Sequence, residues 1–402
     1  MGIAVWNPVA YCRGCKADQL STVVQLQPMP IGNRFTKTPN SEELFPVVLV
    51  MCEICKLVQL GHHVDSKLVF NQTHRMSGEP INEKLIPNHQ SRIDHRTLYI
   101  GGHAGNGESV PDFASNETIS LESYIHFQQR LGKITLKSWE SAVDQKLIEQ
   151  LVAQFGLFNE IIIDNSSKSS HPLHISNIED PRGYLEKLGL LLRPEGVISI
   201  QLPDLSSILR YGHIGYIYHE HQSYFSSRSL LWLLQSLGFE AIHAVKARDK
   251  LNARYRFCRS NLPRKEKIPH AGLITDSIDC DGTEDRKRYD EFVTRLVCTR
   301  ERVREEIELA GSNPIIGYGA SVATITTMYQ LCINDWLDYL VDDSDRFCDQ
   351  FSPKDNLKVV QYKESERADD PTFVLLATRY EGQIIRKHGA LSGHTVSTRM
   401  YQ

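Results

Sequence analysis

The chain has 402 residues, of which 41% are hydrophobic and 23% charged, and its formal net charge is −4 at pH 7. This length suits about two to three domains with sizeable cores. A net charge this small gives no reason to expect a nucleic-acid partner or an anionic membrane surface. Long apolar runs and a secretion signal are lacking, and nine cysteines, an odd number, suit a reducing compartment. We therefore expect a cytoplasmic protein.

Two pairs of cysteines, each spaced as CxxC, lie close to the N-terminus: Cys12 with Cys15, and Cys52 with Cys55. Four thiolates suit a tetrahedral Zn²⁺, and a segment this short builds little hydrophobic core of its own. The pairs predict a structural zinc ion in a domain that spans residues 1–75. Two redox pairs or incidental thiols are the alternatives.

A glycine-rich stretch follows a short strand predicted at residues 97–100. Four glycines in the next seven residues let the backbone approach a ligand closely. About twenty residues further on, a second predicted strand ends at Glu122, whose carboxylate would accept hydrogen bonds from ribose hydroxyls. The pattern makes Gly101, Gly105, Gly107 and Glu122 candidates for binding a nucleoside cofactor. A plain surface loop is the alternative.

Strand and helix patterns alternate from residue 97 to residue 246. The predicted elements are helices at 147–155, 184–192 and 229–234, strands at 160–165 and 197–201, and a turn at 194–196. This alternation is typical of an α/β protein with a doubly wound sheet. It predicts a central Rossmann domain over residues 76–258.

Residues 216–226 contain two imidazoles, one carboxylate and three phenols, and they follow shortly after the strand at 197–201. This is the carboxyl end of a strand, where open α/β sheets bind ligands. His219 or His221 would act as a base near neutral pH, with Glu220 orienting a ring and tyrosine hydroxyls donating to an oxyanion. A polar turn that pins the loop, or a metal held by both histidines, are the alternatives.

The last third of the chain repeats the order of strand, glycine turn, helix, strand and acidic residue. Residues 259–310 read as a polar linker followed by a long charged helix with an apolar stripe. A strand and glycine turn at 313–321, a helix at 322–331 and a second strand ending in Asp342 predict a second Rossmann-like unit in residues 311–402. Glycines that serve only the turn are the alternative to a ligand site there.

Three stretches together resemble one family. They are the paired CxxC domain with residues 30–35 (PIGNRF) between the knuckles, residues 217–226 (IYHEHQSYFS), and the glycine turn at 317–321 (GYGAS). In this order they resemble the sugar C-methyltransferases over nearly the whole chain. The resemblance implies a zinc-binding N-terminal domain, a central Rossmann domain that binds S-adenosylmethionine, and a C-terminal Rossmann-like domain that helps to hold the substrate.

The resemblance also implies a reaction. A base removes the proton next to a ketone on a nucleotide-linked keto-deoxysugar, and the enolate carbon then takes the methyl group. His221 matches the family's base, and Tyr218 and Glu220 match helpers in proton transfer and enolate stabilisation. His219 matches a supporting residue. Two other interpretations are an isomerase or epimerase acting next to a carbonyl without a methyl donor, and a non-catalytic nucleotide-sugar-binding partner of another enzyme.

Overall fold

The computed structural model describes residues 6–70, 96–101, 118–122, 124–125, 143–164, 172–246, 251–260, 282–311, 314–365, 370–388, 391 and 393–400. In this part of the chain the strands form four sheets, with two, four, six and five strands. The three larger sheets correspond to the three units that the sequence predicts.

The N-terminal unit is an antiparallel sheet whose turns carry the cysteine knuckles. Its elements are β1 (Trp6–Pro8), β2 (Leu20–Met29), β3 (Phe45–Cys52), β4 (Val58–Leu60), β5 (His62–Val64) and the short helix α1 (Ser66–Val69). β2, β3 and β4 pair side by side, and a distant strand, Ser223–Tyr224, extends this sheet at β4. Most of β3 is buried, so both faces of the sheet are covered.

The central unit is a six-stranded sheet flanked by helices. Its elements are β6 (Thr97–Ile100), β7 (Thr118–Ser120), α2 (Gln145–Phe155), β8 (Phe158–Asp164), α3 (Pro181–Leu190), β9 (Leu192–Pro203), α4 (Leu205–Tyr211), β10 (Ser223–Tyr224), α5 (Ser227–Ser236), β11 (Phe239–Lys246) and β12 (Asn252–Arg259). The strand order is β11-β12-β9-β8-β6-β7. β7, β6, β8 and β9 are parallel, and β12 is antiparallel to both of its neighbours. Because β7 and β8 lie on opposite sides of β6, the sheet is doubly wound, which confirms the predicted fold class.

Short polar side chains start the central helices. The carboxylates of Asp144, Asp180 and Asp204 accept hydrogen bonds from backbone amides in the first turns of α2, α3 and α4. Ser226 and Ser229 form a reciprocal capping box at the start of α5, immediately after the histidine-rich loop. The helix that follows therefore fixes the end of that loop.

The predicted turn at 194–196 is wrong, since these residues belong to β9. Along β8 the ladder partner changes from Leu192 to Val197 within two residues, so the intervening part of β9 bulges out of the sheet. Its proline and glycine are tolerated there because bulged positions do not complete the ladder of hydrogen bonds. Turn-forming residues in this stretch thus mark a bulge in a long strand.

The C-terminal unit is a fully parallel sheet that follows a long helix. Its elements are α6 (Arg286–Ala310), β13 (Ile315–Tyr318), α7 (Val322–Gln330), β14 (Tyr339–Asp342), β15 (Val359–Gln361), α8 (Tyr362–Ser365), β16 (Thr372–Leu375), α9 (Glu381–His388) and β17 (His394–Ser397). The strand order β15-β14-β13-β16-β17 reverses at β13, as in a Rossmann fold. The predicted second Rossmann-like unit is present.

α6 connects the units. Phe292, Leu296 and Val303 form its buried stripe, as predicted. On its polar side Arg295 donates a hydrogen bond to the carbonyl of Arg210 at the end of α4 (3.0 Å), and other arginines of the helix reach the C-terminal unit. The predicted linker falls largely on residues 261–281, which lie outside the described residues. Within the described helices, none combines the length and apolar character needed to cross a membrane.

Candidate active site

The four N-terminal cysteines form one cluster. Their Sγ atoms all lie within 4.8 Å of one another, with 3.4 Å between Cys12 and Cys55 and 3.4 Å between Cys15 and Cys52. A tetrahedral Zn²⁺ with Zn–S bonds of about 2.3 Å places its ligands about 3.8 Å apart. The cluster therefore fits a zinc ion held by four thiolates.

The thiols of this cluster compete for negative charge. Hydrogen bonding with Cys12 lowers the pKa of Cys52, whereas hydrogen bonding with Cys12 raises the pKa of Cys55. Hydrogen bonding with Cys52 also raises the pKa of Cys12 to about 12. Four neighbouring thiols cannot all ionise alone, because each thiolate repels the next. A divalent cation stabilises all four thiolates at once, which is how a Cys₄ zinc site supports the fold of a small domain.

The histidine-rich loop lies where the three units meet. On one side it ends as β10, which pairs with β4 of the zinc-binding domain. On the other side it packs on α7 of the C-terminal unit, where a Cβ atom added to Gly215 would lie 3.1 Å from the Cβ of Ala323. A side chain at this position would press on α7, so glycine favours the close approach. The loop is buried almost throughout, so its polar side chains must find partners within the protein.

His221 is buried among tyrosines. Its Nδ1 lies 3.0 Å from the backbone carbonyl oxygen of Tyr216, and its Nε2 lies 3.1 Å from the hydroxyl of Tyr218. Its ring stacks on that of Tyr218 at 4.3 Å between centroids. A carbonyl oxygen only accepts hydrogen bonds, so Nδ1 carries the proton and Nε2 keeps its lone pair. Burial lowers the pKa of His221, so the ring is neutral near pH 7.

His219 faces the zinc-binding domain instead. Its Nε2 lies 3.2 Å from the carbonyl oxygen of Pro46, and its ring contacts those of Phe45 and His62. Nε2 therefore carries the proton in this histidine. Burial lowers the pKa of His219 to about 4, so this ring is also neutral near pH 7. These contacts give His219 a packing environment within the loop.

Glu220 joins the loop to residues of both outer units. Its carboxylate accepts a hydrogen bond from the amide of Asn33, which also donates to the carbonyl of Val69 at 2.9 Å. Asn33 belongs to the stretch between the cysteine knuckles that carries the family resemblance. Partial burial lowers the pKa of Arg346, and the carboxylates of Glu220 and Asp342 oppose that shift. Glu220 thus accepts a hydrogen bond from an amide, and its negative charge acts on a guanidinium.

The structure adds contacts that the sequence did not identify. Arg379, which follows β16, donates a hydrogen bond of 2.7 Å to the hydroxyl of Tyr216. The carbonyl oxygen of Tyr216 also accepts a hydrogen bond from His221, so Tyr216 contacts both the arginine and the histidine. Residues 163 positions apart give no local signal of such a contact. Only their common place at the carboxyl ends of strands hinted at it.

The carboxyl edge of the central sheet brings two acidic residues near a glycine. Gly101 follows β6, and a Cβ atom there would lie 2.7 Å from both the carbonyl oxygen of Asp164 and the hydroxyl of Tyr99. The Tyr99 hydroxyl lies 3.2 Å from the carboxylate of Asp164, and burial raises the pKa of Tyr99. Glu122, which follows β7, is buried at the same edge and also acts on the pKa of Tyr99.

This edge fits a nucleoside cofactor such as S-adenosylmethionine. It lies at the strand-order reversal, where doubly wound sheets bind ligands. Its carboxylates, from Asp164 and the buried Glu122, can accept hydrogen bonds from the hydroxyl groups of a ribose. Gly101 is required there by the close approach of Asp164 and Tyr99. Gly105 and Gly107, the other two predicted glycines, lie outside the described residues.

The glycine turn of the C-terminal unit is closed by its own acid. Asp342 accepts hydrogen bonds from the backbone amides of Ala320 (2.7 Å) and Ser344 (2.8 Å). Gly319 in the same turn has a φ of +118°, a conformation that favours glycine. One carboxylate oxygen of Asp342 thus stabilises the glycine turn and the other the segment after β14, which favours the structural interpretation of this second glycine motif.

The fold and the site define a class: an S-adenosylmethionine-dependent methyltransferase that carries a Cys₄ zinc-binding domain. Three family profiles match in order: a zinc binding domain over residues 12–70, a methyltransferase domain over residues 174–244, and a C-methyltransferase C-terminal domain over residues 254–397. These matches, in this order, confirm the resemblance to C-methyltransferases found in the sequence.

A curated relative and two solved structures are similar to this chain. C-methyltransferase NovU of Streptomyces niveus is 24% identical over 328 residues, which covers 78% of this chain and 76% of that protein. A 1,6-didemethyltoxoflavin-N1-methyltransferase of Burkholderia thailandensis, solved with its substrate and S-adenosylhomocysteine, is 17% identical over 42% of this chain and 73% of its own, with a TM-score of 0.26. An O-methyltransferase family protein from the same organism is 12% identical over 42% of this chain and 52% of its own, with a TM-score of 0.23. Neither TM-score supports a comparison of geometry.

Proposed function

We propose that this C-methyltransferase methylates the carbon α to a ketone on a nucleotide-linked keto-deoxysugar, with His221 as the base. The observation that carries the proposal is the state of His221. The ring is neutral, its Nδ1 proton is held by a backbone carbonyl, and its Nε2 lone pair faces a hydroxyl group. An imidazole held in this tautomer is ready to accept a proton at a defined atom.

Transfer of the proton from the α carbon of the substrate to Nε2 of His221 leaves an imidazolium and an enolate. The hydroxyl of Tyr218, next to Nε2, is placed to donate a hydrogen bond to the enolate oxygen or to pass the proton on. Glu220 stabilises the imidazolium, because its negative charge raises the pKa of His221 against the effect of burial. His219 supports the loop through the zinc-binding domain.

S-adenosylmethionine supplies an activated sulfonium methyl group when it is bound. We assign its nucleoside to the carboxyl edge that holds Gly101 and Glu122. Gly105 and Gly107, which lie outside the described residues, are further candidates from the sequence alone. The chain's own contribution is to hold the enolate carbon in line with that methyl group and to keep water away from it. The buried loop of His221 suits both tasks.

The C-terminal unit offers cationic side chains for a nucleotide-linked substrate. Arg346 and Arg379 follow β14 and β16, at the carboxyl edge of this sheet. Arg379 donates a hydrogen bond to Tyr216 of the histidine-rich loop, and the charge of Glu220 in that loop acts on Arg346. Arginines placed beside the base suit a substrate that carries a diphosphate. The matched C-methyltransferase C-terminal domain and the similarity to C-methyltransferase NovU support methyl transfer to carbon. The proposal of a sugar nucleotide rests on the resemblance and on these charges.

We also propose the domain limits 1–75, 76–258, 259–310 and 311–402, and a cytoplasmic location. The four cysteines of the zinc cluster carry thiols that form no disulfide. Thiols in this state suit a reducing compartment.

The experiment is an assay with S-adenosylmethionine and a panel of nucleotide-linked keto-deoxysugars, read by mass spectrometry. We expect transfer of one methyl group to carbon by the wild-type enzyme, and loss of transfer in the variants His221→Leu and His221→Gln. Proton exchange next to the ketone without methyl transfer would instead indicate the isomerase or epimerase. Ligand-induced stabilisation without either reaction would indicate the binding partner.

A further inference from the structure

Arg13 lies inside the first zinc knuckle, between the ligands Cys12 and Cys15, and only 4% of its surface is exposed. Its guanidinium donates to the carbonyl of Leu60 at 2.7 Å and to the side-chain oxygen of Gln222 at 2.9 Å. A third, longer contact of 3.4 Å reaches the carbonyl of His62. A zinc knuckle thus extends a buried cation towards the histidine-rich loop.

Gln222 is the residue directly after His221, and it is held from several directions. Its backbone carbonyl accepts a hydrogen bond from the amide of Leu60 at 3.1 Å, and its side-chain amide donates to the carbonyl of His219 at 3.2 Å. The chain then continues as β10 along β4. Arg13 and β4 together fix the backbone on one side of His221.

The knuckle itself is fixed to the same strand. The backbone amide of Arg13 donates to the side-chain oxygen of Gln59 at 2.7 Å, and the Gln59 side chain donates back to the carbonyl of Tyr11 at 3.1 Å. Gln59 belongs to β4 and pairs with Ser223 of β10. A displacement of the knuckle would therefore move both the side-chain and the backbone supports of the loop.

We propose that the zinc knuckle positions the catalytic base, with Arg13 as the positioning residue that carries its geometry to His221 through Gln222. This inference rests on the proposed role of His221. Arginine suits the task because its planar fork contacts separate oxygens on β4 and on the loop at once, which a lysine cannot do in the same geometry. The zinc ion is then required for the rate of the reaction as well as for folding of its own domain.

The test compares Arg13→Lys and Arg13→Gln with wild type, using protein whose zinc content has been measured. We expect kcat to fall roughly tenfold in the first and a hundredfold in the second, since small displacements of a catalytic group cost that much. Affinity for S-adenosylhomocysteine should stay unchanged, because the residues proposed to bind its nucleoside follow β6 and β7, whereas Arg13 supports β4 and Gln222. The acid limb of the pH profile of kcat should also shift as the surroundings of His221 loosen.

Lys16→Gln is the matched control. Lys16 belongs to the same knuckle and also reaches the central unit, through an ion pair of 2.7 Å with Asp180, but both side chains are about half exposed. We expect this variant to keep wild-type kcat, because exposed pairs contribute little. Equal losses in both Arg13 variants and in Lys16→Gln would mean that any contact between the domains matters, and this would overturn the proposal.

Gln222→Ala decides the question if the Arg13 variants lose zinc or fail to fold. It breaks the same contact from the loop, far from the thiolates. We expect it to lower kcat with zinc content unchanged, and we expect Arg13→Lys combined with Gln222→Ala to be no slower than the slower single variant. Wild-type kcat in Gln222→Ala overturns the inference. If His221→Gln is itself fully active, the proposed function fails instead, so the two failures are distinguishable.

Discussion

His219 and His221 stand two residues apart in one loop, yet they face different parts of the molecule. Both rings are buried, and burial lowers the pKa of each. His219 donates from Nε2 to a carbonyl of the zinc-binding domain, whereas His221 donates from Nδ1 to a carbonyl within its own loop. The two histidines therefore keep their lone pairs on different nitrogens, and only that of His221 faces a hydroxyl. The neighbours of a histidine, more than its burial, distinguish a catalytic candidate from a packing residue.

The largest effect that we expect comes from His221→Gln. Removing a general base typically costs a factor of about 10² to 10⁴ in rate, and we expect kcat for methyl transfer to fall within that range. The change should leave thermal unfolding close to wild type. His219→Gln is the matched variant, since a glutamine amide still donates to the carbonyl of Pro46, and we expect its kcat to stay within about threefold. Equal losses in the two variants would remove the distinction between the histidines.

Removal of zinc is expected to act on the histidine-rich loop through its contacts with the zinc-binding domain. Strong chelation should unfold the N-terminal domain and abolish activity, because the domain then loses the metal–thiolate bonds that join its two cysteine knuckles. Calorimetry and zinc analysis of the same sample would measure both effects, with restored zinc as the control. Unchanged melting after complete loss of zinc would contradict the assignment of the Cys₄ site.

Glu122→Gln tests the carboxyl edge of the central sheet. We expect the affinity for S-adenosylhomocysteine, measured by titration calorimetry, to fall by about tenfold, because an amide accepts hydrogen bonds from hydroxyls more weakly than a carboxylate. Asp342→Asn is the control at the corresponding place in the C-terminal unit, where the carboxylate binds backbone amides of its own turn. Its affinity should stay at the wild-type value. A loss of affinity in Asp342→Asn alone would mean that the nucleoside binds at the C-terminal sheet, which would contradict our assignment to the central sheet.

The smallest effect concerns stability at acid pH. His219 has a pKa of about 4 in the folded protein, against about 6.5 when unfolded. Between these values the unfolded chain binds a proton that the folded chain does not, so the free energy of unfolding falls as pH falls. The slope is about 1.4 kcal/mol per pH unit for one histidine. Urea unfolding at pH 5 and pH 7 should show that the free energy of unfolding depends less on pH in His219→Gln than in wild type. The same pH dependence in both proteins would mean that His219 is less buried than the structure shows.

Local patterns predicted most of the fold. The CxxC spacing predicted the Cys₄ cluster, and alternating strands and helices predicted both doubly wound sheets, because these signals come from residues close in sequence. The antiparallel pair β11 and β12 and the pairing of β10 with β4 were not predicted. Such pairings join distant segments, and nothing in a two-residue strand such as Ser223–Tyr224 specifies its partner.

The candidate site divides in the same way. The histidine-rich loop stood out by composition, and the helix that follows it was correctly predicted. The helix α4, which separates the loop from β9, was not predicted. The roles of its two histidines could not be separated by residue type, since they depend on Pro46, Tyr216 and Tyr218 as neighbours. Arg13 gave no signal of its own, because its contact with Gln222 spans 209 positions. Contacts between domains were the part that only the structure supplied.

The most direct test of His221 as the base is exchange of the proton next to the ketone. The nucleotide-linked keto-deoxysugar would be incubated in D₂O with enzyme and S-adenosylhomocysteine, which lacks the methyl group, and deuterium at the α carbon would be followed by NMR. We predict exchange with wild type and with His219→Gln, and none above background with His221→Gln. Exchange at the wild-type rate in His221→Gln would contradict the account, because another group would then be removing the proton.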